Sequence, residues 1–361
     1  MQIISDFTKD VQNPKPQPGA YEWWYFDAID NSGRYKIVII FYEGNPFSPS
    51  YIKGIDSSPA ATADEYPATS ISIYDRDKPI YYSFTEFKTE NCFFNGENPE
   101  VKIGKNLMRG FQKDEQIIYE LRLEEVLPSG DSLKAELTFT SRVFSHALFS
   151  SEPHEEEGHF WNLVQPYSEV KGILKIGGGG SESISINFKG NGYHDHNTGS
   201  EPMKEEFVDW YWGRAHFKHY TLVYYLMNKK DSEQHKAWLI DHKAGSVAEV
   251  LDQIQLADES LTLFGLKSAR KIGIKNERFE IVIQQSSLLD NGPFYQRFGC
   301  DVFLHDKKQE ITETAVGISE YIYPERIHQR VFWPLVTMRI YSKKNGPHWV
   351  QKSKTLYRWT W

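Results

Sequence analysis

Two imidazoles and a carboxyl group occupy three consecutive positions at His194-Asp195-His196, inside the run Gly190-Asn-Gly-Tyr-His-Asp-His-Asn197. On an extended strand, side chains alternate between faces, so His194 and His196 share one side and Asp195 takes the other. Two histidines at that spacing offer a pair of metal ligands, with His159, Glu22 or His216 as the third. The competing reading is a hydrogen-bonded corner set by Gly190 and Gly192, in which Asp195 and Asn197 hold turn amides and the histidines stack on aromatics. No cysteine or acidic cluster completes a metal set, so the expectation is no metal and no cofactor.

Acid–base chemistry is the other use of these residue types. A histidine near its intrinsic pKa moves protons at neutral pH, and a carboxylic acid in an apolar pocket can stay protonated. Asp195 and Glu22, the latter flanked by Tyr21 and Trp23, are the candidate acids; a salt bridge from Glu22 to Arg214 is the structural alternative. Trp210, Trp212 and Arg214 fall two apart and share a strand face, as pocket wall or as core. Trp23 and Trp24 take opposite faces, which makes one of them plain core. An indole wall has chemical value where positive charge builds up on a carbon skeleton, because π faces stabilise cations.

The elements that position these residues read as strands. Residues 11–19 carry three prolines and form an extended lead-in. A hairpin follows, with strands at 21–27 and 35–42 and a turn at Asn31-Ser-Gly33. The stretch 44–69 reads as a long loop. Strands are expected at 70–74, 80–84, 117–123, 133–140, 170–176 and 183–188, with a turn at Pro128-Ser-Gly-Asp131. Gly177-Gly-Gly-Gly180 reads as a hairpin turn or a linker, and Glu155-Glu-Glu157 as a solvated charge run. Beyond residue 200, strands are expected at 207–217, 220–227, 235–241, 278–285, 298–305, 317–323, 335–341 and 355–361. Ser246-Val-Ala-Glu249 has the spacing of a capping box, and predicts a helix running on through Leu256. Many short strands with little helix mean an all-β chain of barrels or sandwiches, divided near residue 200 into domains 1–200 and 201–361.

Composition supports that architecture. Aromatic residues make up 15% of the 361, and they favour pleated surfaces and line pockets for large apolar ligands. A net charge of −8 argues against a nucleic-acid partner. Cys92 and Cys300 form no C-x-x-C pair, so neither a zinc knuckle nor a disulfide framework is expected. With no signal-like start and no apolar run of membrane-spanning length, the chain reads as cytoplasmic, without stable membrane insertion.

Five motifs occur in the order found in a known family: Glu22-Trp-Trp-Tyr-Phe-Asp27, His159-Phe-Trp161 with Pro166, Gly192-Tyr-His-Asp-His-Asn197, Trp210-Tyr-Trp-Gly-Arg214 and Gly317-Ile-Ser-Glu-Tyr321. The chain thereby resembles the carotenoid 1,2-hydratase (hydroxyneurosporene synthase)-like superfamily over about residues 20 to 340. The resemblance implies two tandem lipocalin-like (calycin) β-domains with a ligand pocket at or between them. That superfamily also takes in fungal decalin-forming Diels–Alderases. Two departures stand out: Thr198 follows the histidine motif where the hydratases have Trp, and residues 221–227 lack the acid of their Tyr-x-Asp strand.

The resemblance and the residues together predict a cofactor-independent lyase or isomerase, a hydratase or cyclase, acting on a long hydrophobic polyene or isoprenoid-like substrate in a biosynthetic pathway. Proton transfer then falls to Asp195, His196, His194, Glu22 or Tyr225. Substrate contacts fall to Trp23, Trp24, Tyr193, Asn197, Trp210, Trp212, Arg214 and Tyr224. The alternatives are a pericyclase that only folds a polyene, and a non-enzymatic carrier of lipid or pigment.

Overall fold

The structure, a computed structural model, describes residues 2–144, 158–178, 183–262 and 264–361. The chain forms two compact units, Met1–Met203 with Arg330–Trp361, and Lys204–Gln329. The sequence expectation runs the second domain to residue 361, whereas the last segment packs with the first unit. The charge run 155–157 and the turn at 179–180 lie outside the described residues.

The first unit is built from β1 (Gln2–Ile4), β2 (Tyr21–Asp30), β3 (Tyr35–Glu43), β4 (Ala68–Asp75), β5 (Lys78–Glu86), β6 (Cys92–Phe94), β7 (Glu100–Ile103), β8 (Asn106–Lys113), β9 (Gln116–Val126), β10 (Asp131–Arg142), β11 (Phe160–Gly178) and β12 (Ile184–Gly199). They form one sheet in the order β5-β4-β3-β2-β12-β11-β10-β9-β8-β7-β6, with β1 lying parallel to β11. Alternation drives the curl. In β9 and β10, Ile117, Tyr119, Leu121, Leu123, Leu133, Ala135, Leu137 and Phe139 turn inward, while the residues alternating with them in each strand are exposed or half-buried. Strands β2 and β3 are buried on both faces over most of their length, and β12 from Gly192 onward.

The second unit contains β13 (Phe207–His216), β14 (Tyr220–Lys229), β15 (Glu233–Asp241), β16 (Ser246–Leu251), β17 (Gln253–Ala257), β18 (Ser260–Leu261), β19 (Lys267–Ser268), β20 (Lys271–Lys275), β21 (Phe279–Asn291), β22 (Tyr295–Asp306) and β23 (Ile311–Ile322). Its main sheet runs β16-β15-β14-β13-β23-β22-β21-β20-β17. One face forms an aliphatic and aromatic core that includes Tyr211, Leu222, Tyr224, Leu239, Ile281 and Phe298. A short β24 (Tyr341–Ser342) returns to the first unit and pairs in parallel with β5. The chain is all-β and lipocalin-like.

Several local expectations are corrected. The predicted helix at Ser246 is strand β16, because Gly245, at φ +64°, closes a hairpin that pairs Ser246 with Asp241; pairing overrides the capping spacing. Conversely, the predicted strands at 335–341 and 355–361 are mostly helical. The described residues form the helices α1 (Pro49–Ile55), α2 (Met203–Glu206), α3 (Glu325–His328), α4 (Trp333–Arg339) and α5 (Lys354–Trp359). Helix α4 starts with Pro334 in its first turn, and α5 is capped by Ser353, whose side chain accepts from the Leu356 amide. The 44–69 loop contains a helix at Pro49–Ile55. No corner breaks the histidine strand either, since β12 runs unbroken through Gly190 and Gly192. A Cβ at Gly190 would lie 2.0 Å from the Ile29 carbonyl oxygen, so these glycines permit close strand approach rather than a bend.

Candidate functional site

Strand β12 carries two separate networks, one on each face, as the two-residue period requires. Its register against β2 sets His194 opposite Phe26, Asp195 opposite Tyr25, His196 opposite Trp24 and Asn197 opposite Trp23.

The inward face holds a buried ionic chain. His194 Nε2 lies 2.9 Å from Asp10 Oδ2, and its Nδ1 donates to the Tyr25 carbonyl. His196 lies between two carboxylates, with Nδ1 3.1 Å from Asp10 Oδ1 and Nε2 2.7 Å from Glu22 Oε1. Lys15 then bridges Glu22 and Glu43, and the Tyr119 hydroxyl donates to Asp10. Aromatic rings close the sides: Phe26 stacks on His194 at 3.8 Å, and Trp24 on His196 at 4.6 Å. Asp10, Glu22, His194 and His196 are all fully buried.

Burial opposes charge on each of these groups, and the partners decide the outcome. Desolvation would raise Asp10, but the two histidines outweigh it and hold its carboxyl at about 2. Desolvation would lower His196, but Asp10 and Glu22 outweigh it and raise the imidazole to about 9. Glu22 is likewise held below its usual range, against burial, by His196 and Lys15. The expectation of a protonated Glu22 is therefore corrected: it is an ion-paired carboxylate, with Lys15 and His196 as partners. Burial leaves Glu43 raised, only partly offset by Lys15.

The opposite face has a different character. Asp195 receives the Trp161 indole N–H and the Tyr193 hydroxyl, each at 2.7 Å, and the Asn197 amide at 2.9 Å. Asn197 Oδ1 lies 3.0 Å from His159 Nε2, and His159 Nδ1 lies 3.0 Å from the Tyr21 hydroxyl. Trp23 is half-buried here, stacked on Tyr21 at 5.2 Å and tilted against His159. A carboxylate held by three donors among aromatic rings can stabilise a cation. A histidine linked to it through an amide can exchange a proton.

In the second unit, Trp212 pairs across the strands with Tyr225 and Glu320, and Arg297 donates to Glu320 at 2.8 Å. Trp210, Trp212, Arg214 and Tyr225 share one face, as the spacing implies, and all are buried. Two proposed substrate contacts lie elsewhere: Trp24 is fully buried against His196 in the first unit, and Tyr224 leaves this face. Tyr224 points into the core on the opposite face, where its hydroxyl donates to Ser319 Oγ at 2.8 Å.

Both ring nitrogens of His194 and Nε2 of His196 are hydrogen-bonded, while His196 Nδ1 meets Asp10 Oδ1 at ion-pair distance only. Among the described residues, no set of three or more His, Cys, Asp or Glu is placed to hold a metal ion. Sequence reasoning missed Asp10, Lys15, Glu43 and Tyr119, because nothing near them in sequence marks them as partners of a strand so far away. Trp161 was visible only as part of a motif and His159 as that and as a possible third metal ligand, without the bonds they make to Asp195 and Asn197.

The carotenoid hydratase CrtC family matches residues 38–349. The chain belongs to that family. The match takes in His159, Trp161 and the whole of β12, while Asp10, Lys15 and Glu22 precede it. Among its relatives, a protein of Chlorobaculum tepidum named hydroxyneurosporene dehydrogenase is 28% identical, over 94% of this chain and 92% of its own length. An acyclic carotenoid 1,2-hydratase of Rubrivivax gelatinosus is 27% identical over 60% of this chain and 50% of its own. A solved structure of a putative AttH from Nitrosomonas europaea shares the fold at TM-score 0.59 and 15% identity, covering 88% of this chain and 97% of that one. No helix among the described residues is long and apolar enough to cross a membrane.

Proposed function

We propose that this protein is a lyase-type biosynthetic enzyme that adds water across a carbon–carbon double bond of a long hydrophobic polyene of carotenoid type. The observation that carries this reading is membership of a carotenoid hydratase family over residues 38–349. The Asp195 face supports it with chemistry of the right kind. Hydration places a proton on the less substituted alkene carbon and leaves a tertiary cation next to it. Water bonds to that cation, and the oxonium returns its extra proton to a base, for a net gain of one water. Aromatic faces at Trp23, Tyr25 and Trp161 and the Asp195 carboxylate suit the cation. His159, coupled to Asp195 through Asn197, is the group that can both give and accept the proton, a contribution of about 10²–10⁴-fold. His194, His196 and Glu22 serve from the inward face as support.

The lack of an acid in residues 221–227, where the hydratases carry Tyr-x-Asp, favours a second reading. In it the aromatic surface only folds a polyene for ring closure, without proton transfer.

Incubation with an acyclic carotenoid in deuterated water separates the two. Hydration gives a product heavier by one water, with deuterium at carbon, and Asp195→Asn slows it by about 100-fold while circular dichroism is unchanged. An isomer of unchanged mass without deuterium overturns hydration in favour of ring closure. A product lighter by a pair of hydrogens matches the name of the Chlorobaculum relative, and substrate recovered intact indicates a carrier.

A further inference from the structure

We propose that the surface formed by Arg330–Trp361 docks the protein on an anionic lipid membrane. This stretch carries seven Lys or Arg and no Asp or Glu, in a chain whose totals are 41 basic against 49 acidic. Its charge is thus opposite in sign to that of the whole molecule. Arg330, Lys343, Lys344, Lys352 and Arg358 are exposed.

The same stretch exposes large apolar side chains: Val331 at 74%, Trp349 at 65%, Leu356 at 42% and Trp359 at 81%. Single exposed apolar residues are ordinary; four on adjoining elements within one basic segment are not. Leu356 and Trp359 lie three apart on α5 and so share a side, away from the buried Tyr357. Helix α5 packs on the 3-10 turn Trp349–Lys352, and α4 packs on that same turn. Trp349, Lys352, Leu356, Arg358 and Trp359 therefore lie on adjoining elements, to which α4 joins Arg330 and Val331.

Indole rings settle at the headgroup level of a bilayer, aliphatic side chains gain from the acyl boundary, and Lys and Arg are attracted to anionic lipid. A nucleic acid would reward the charge but not Val331 or Leu356. A second copy meeting this face would set the same exposed basic side chains against one another. An anionic bilayer is the partner that satisfies both components.

The test is co-sedimentation of the full chain with vesicles of phosphatidylcholine alone or mixed with phosphatidylglycerol, at low and physiological salt. Binding is expected to the mixed vesicles only, weakening as salt rises. Trp349→Ala/Trp359→Ala should weaken it about ten-fold, and Lys343→Gln/Lys344→Gln/Lys352→Gln should remove the preference for anionic lipid. Unchanged circular dichroism is the control for folding. The proposal is overturned if the native chain stays in the supernatant with anionic vesicles at low salt, or if both variant sets bind like the parent. It is overturned equally if the chain ignores vesicles but retards a single-stranded oligonucleotide. The vesicles hold no polyene, so the outcome is independent of the reaction proposed above.

Discussion

Asp10 touches both histidines of β12 and the Tyr119 hydroxyl, and it is fully buried. Its contribution to stability is pH-dependent in a definite direction. His196, raised to about 9 from 6.5, stabilises the fold fully below about pH 6.5, and that stabilisation is lost as pH rises through about 9. Asp10, lowered from 3.8 to about 2, contributes above about pH 4, and its share is lost as pH falls towards 2. Melting temperature should therefore be highest between about pH 4 and 6.5 as far as these two groups govern it. Asp10→Asn removes one of the two carboxylates from His196, so the alkaline decline should begin at lower pH, with a loss of about 3–5 kcal/mol at neutral pH. Thermal melts of the variant and parent from pH 4 to 10 check both statements; superimposable profiles would refute the pairing. At this scale the sequence is only partly legible. The alternation of His194, Asp195 and His196 follows from strand period alone, but Asp10 and Lys15 sit in a proline-marked lead-in with no local pattern to assign them.

Strand β12 is the element on which both networks depend. The glycines that suggest a corner in the sequence are instead places where neighbouring strands come close. A Cβ at Gly192 would lie 2.6 Å from the Asp27 carbonyl oxygen and 2.7 Å from the Phe139 ring. Such a contact belongs to partners far along the chain, so no window around residue 192 reveals it. Gly192→Ala should cost about 1–3 kcal/mol by forcing β2 or the Phe139 ring aside. Urea unfolding measures this, and a midpoint within error of the parent would mean the strands yield freely. The misread helices and strands have the same origin. Ser246 is fixed by its hairpin, and residues 333–339 by a proline that suits a first helical turn, so tertiary pairing or capping outweighed residue preference in each case.

On the scale of the whole molecule, the aromatic content and the short strands made the all-β architecture readable, whereas the return of Arg330–Trp361 to the first unit was not, because its strand pairs with β5, far back along the chain. The start of the chain is equally committed. Strand β1 pairs with Phe160–Asn162, beside the Trp161 that donates to Asp195, and Asn162 bonds the Asp6 backbone at both its N–H and its carbonyl. Deleting residues 2–15 removes Asp10 and Lys15 and leaves His196, Glu22 and Glu43 in a dry interior. The truncated chain should lose its cooperative thermal transition or appear as aggregate on size exclusion; a melt within a few degrees of the parent would count against that.

The same segment sets a timing problem for synthesis. Asp10 is made early, yet its partner His194 lies 184 residues further on. At about 5–20 residues per second, that delay is roughly 10–40 s. Over that interval Asp10 stays hydrated, without the histidines that hold its charge in the folded chain. A residue made before most of its sheet is thus among the last to reach its place.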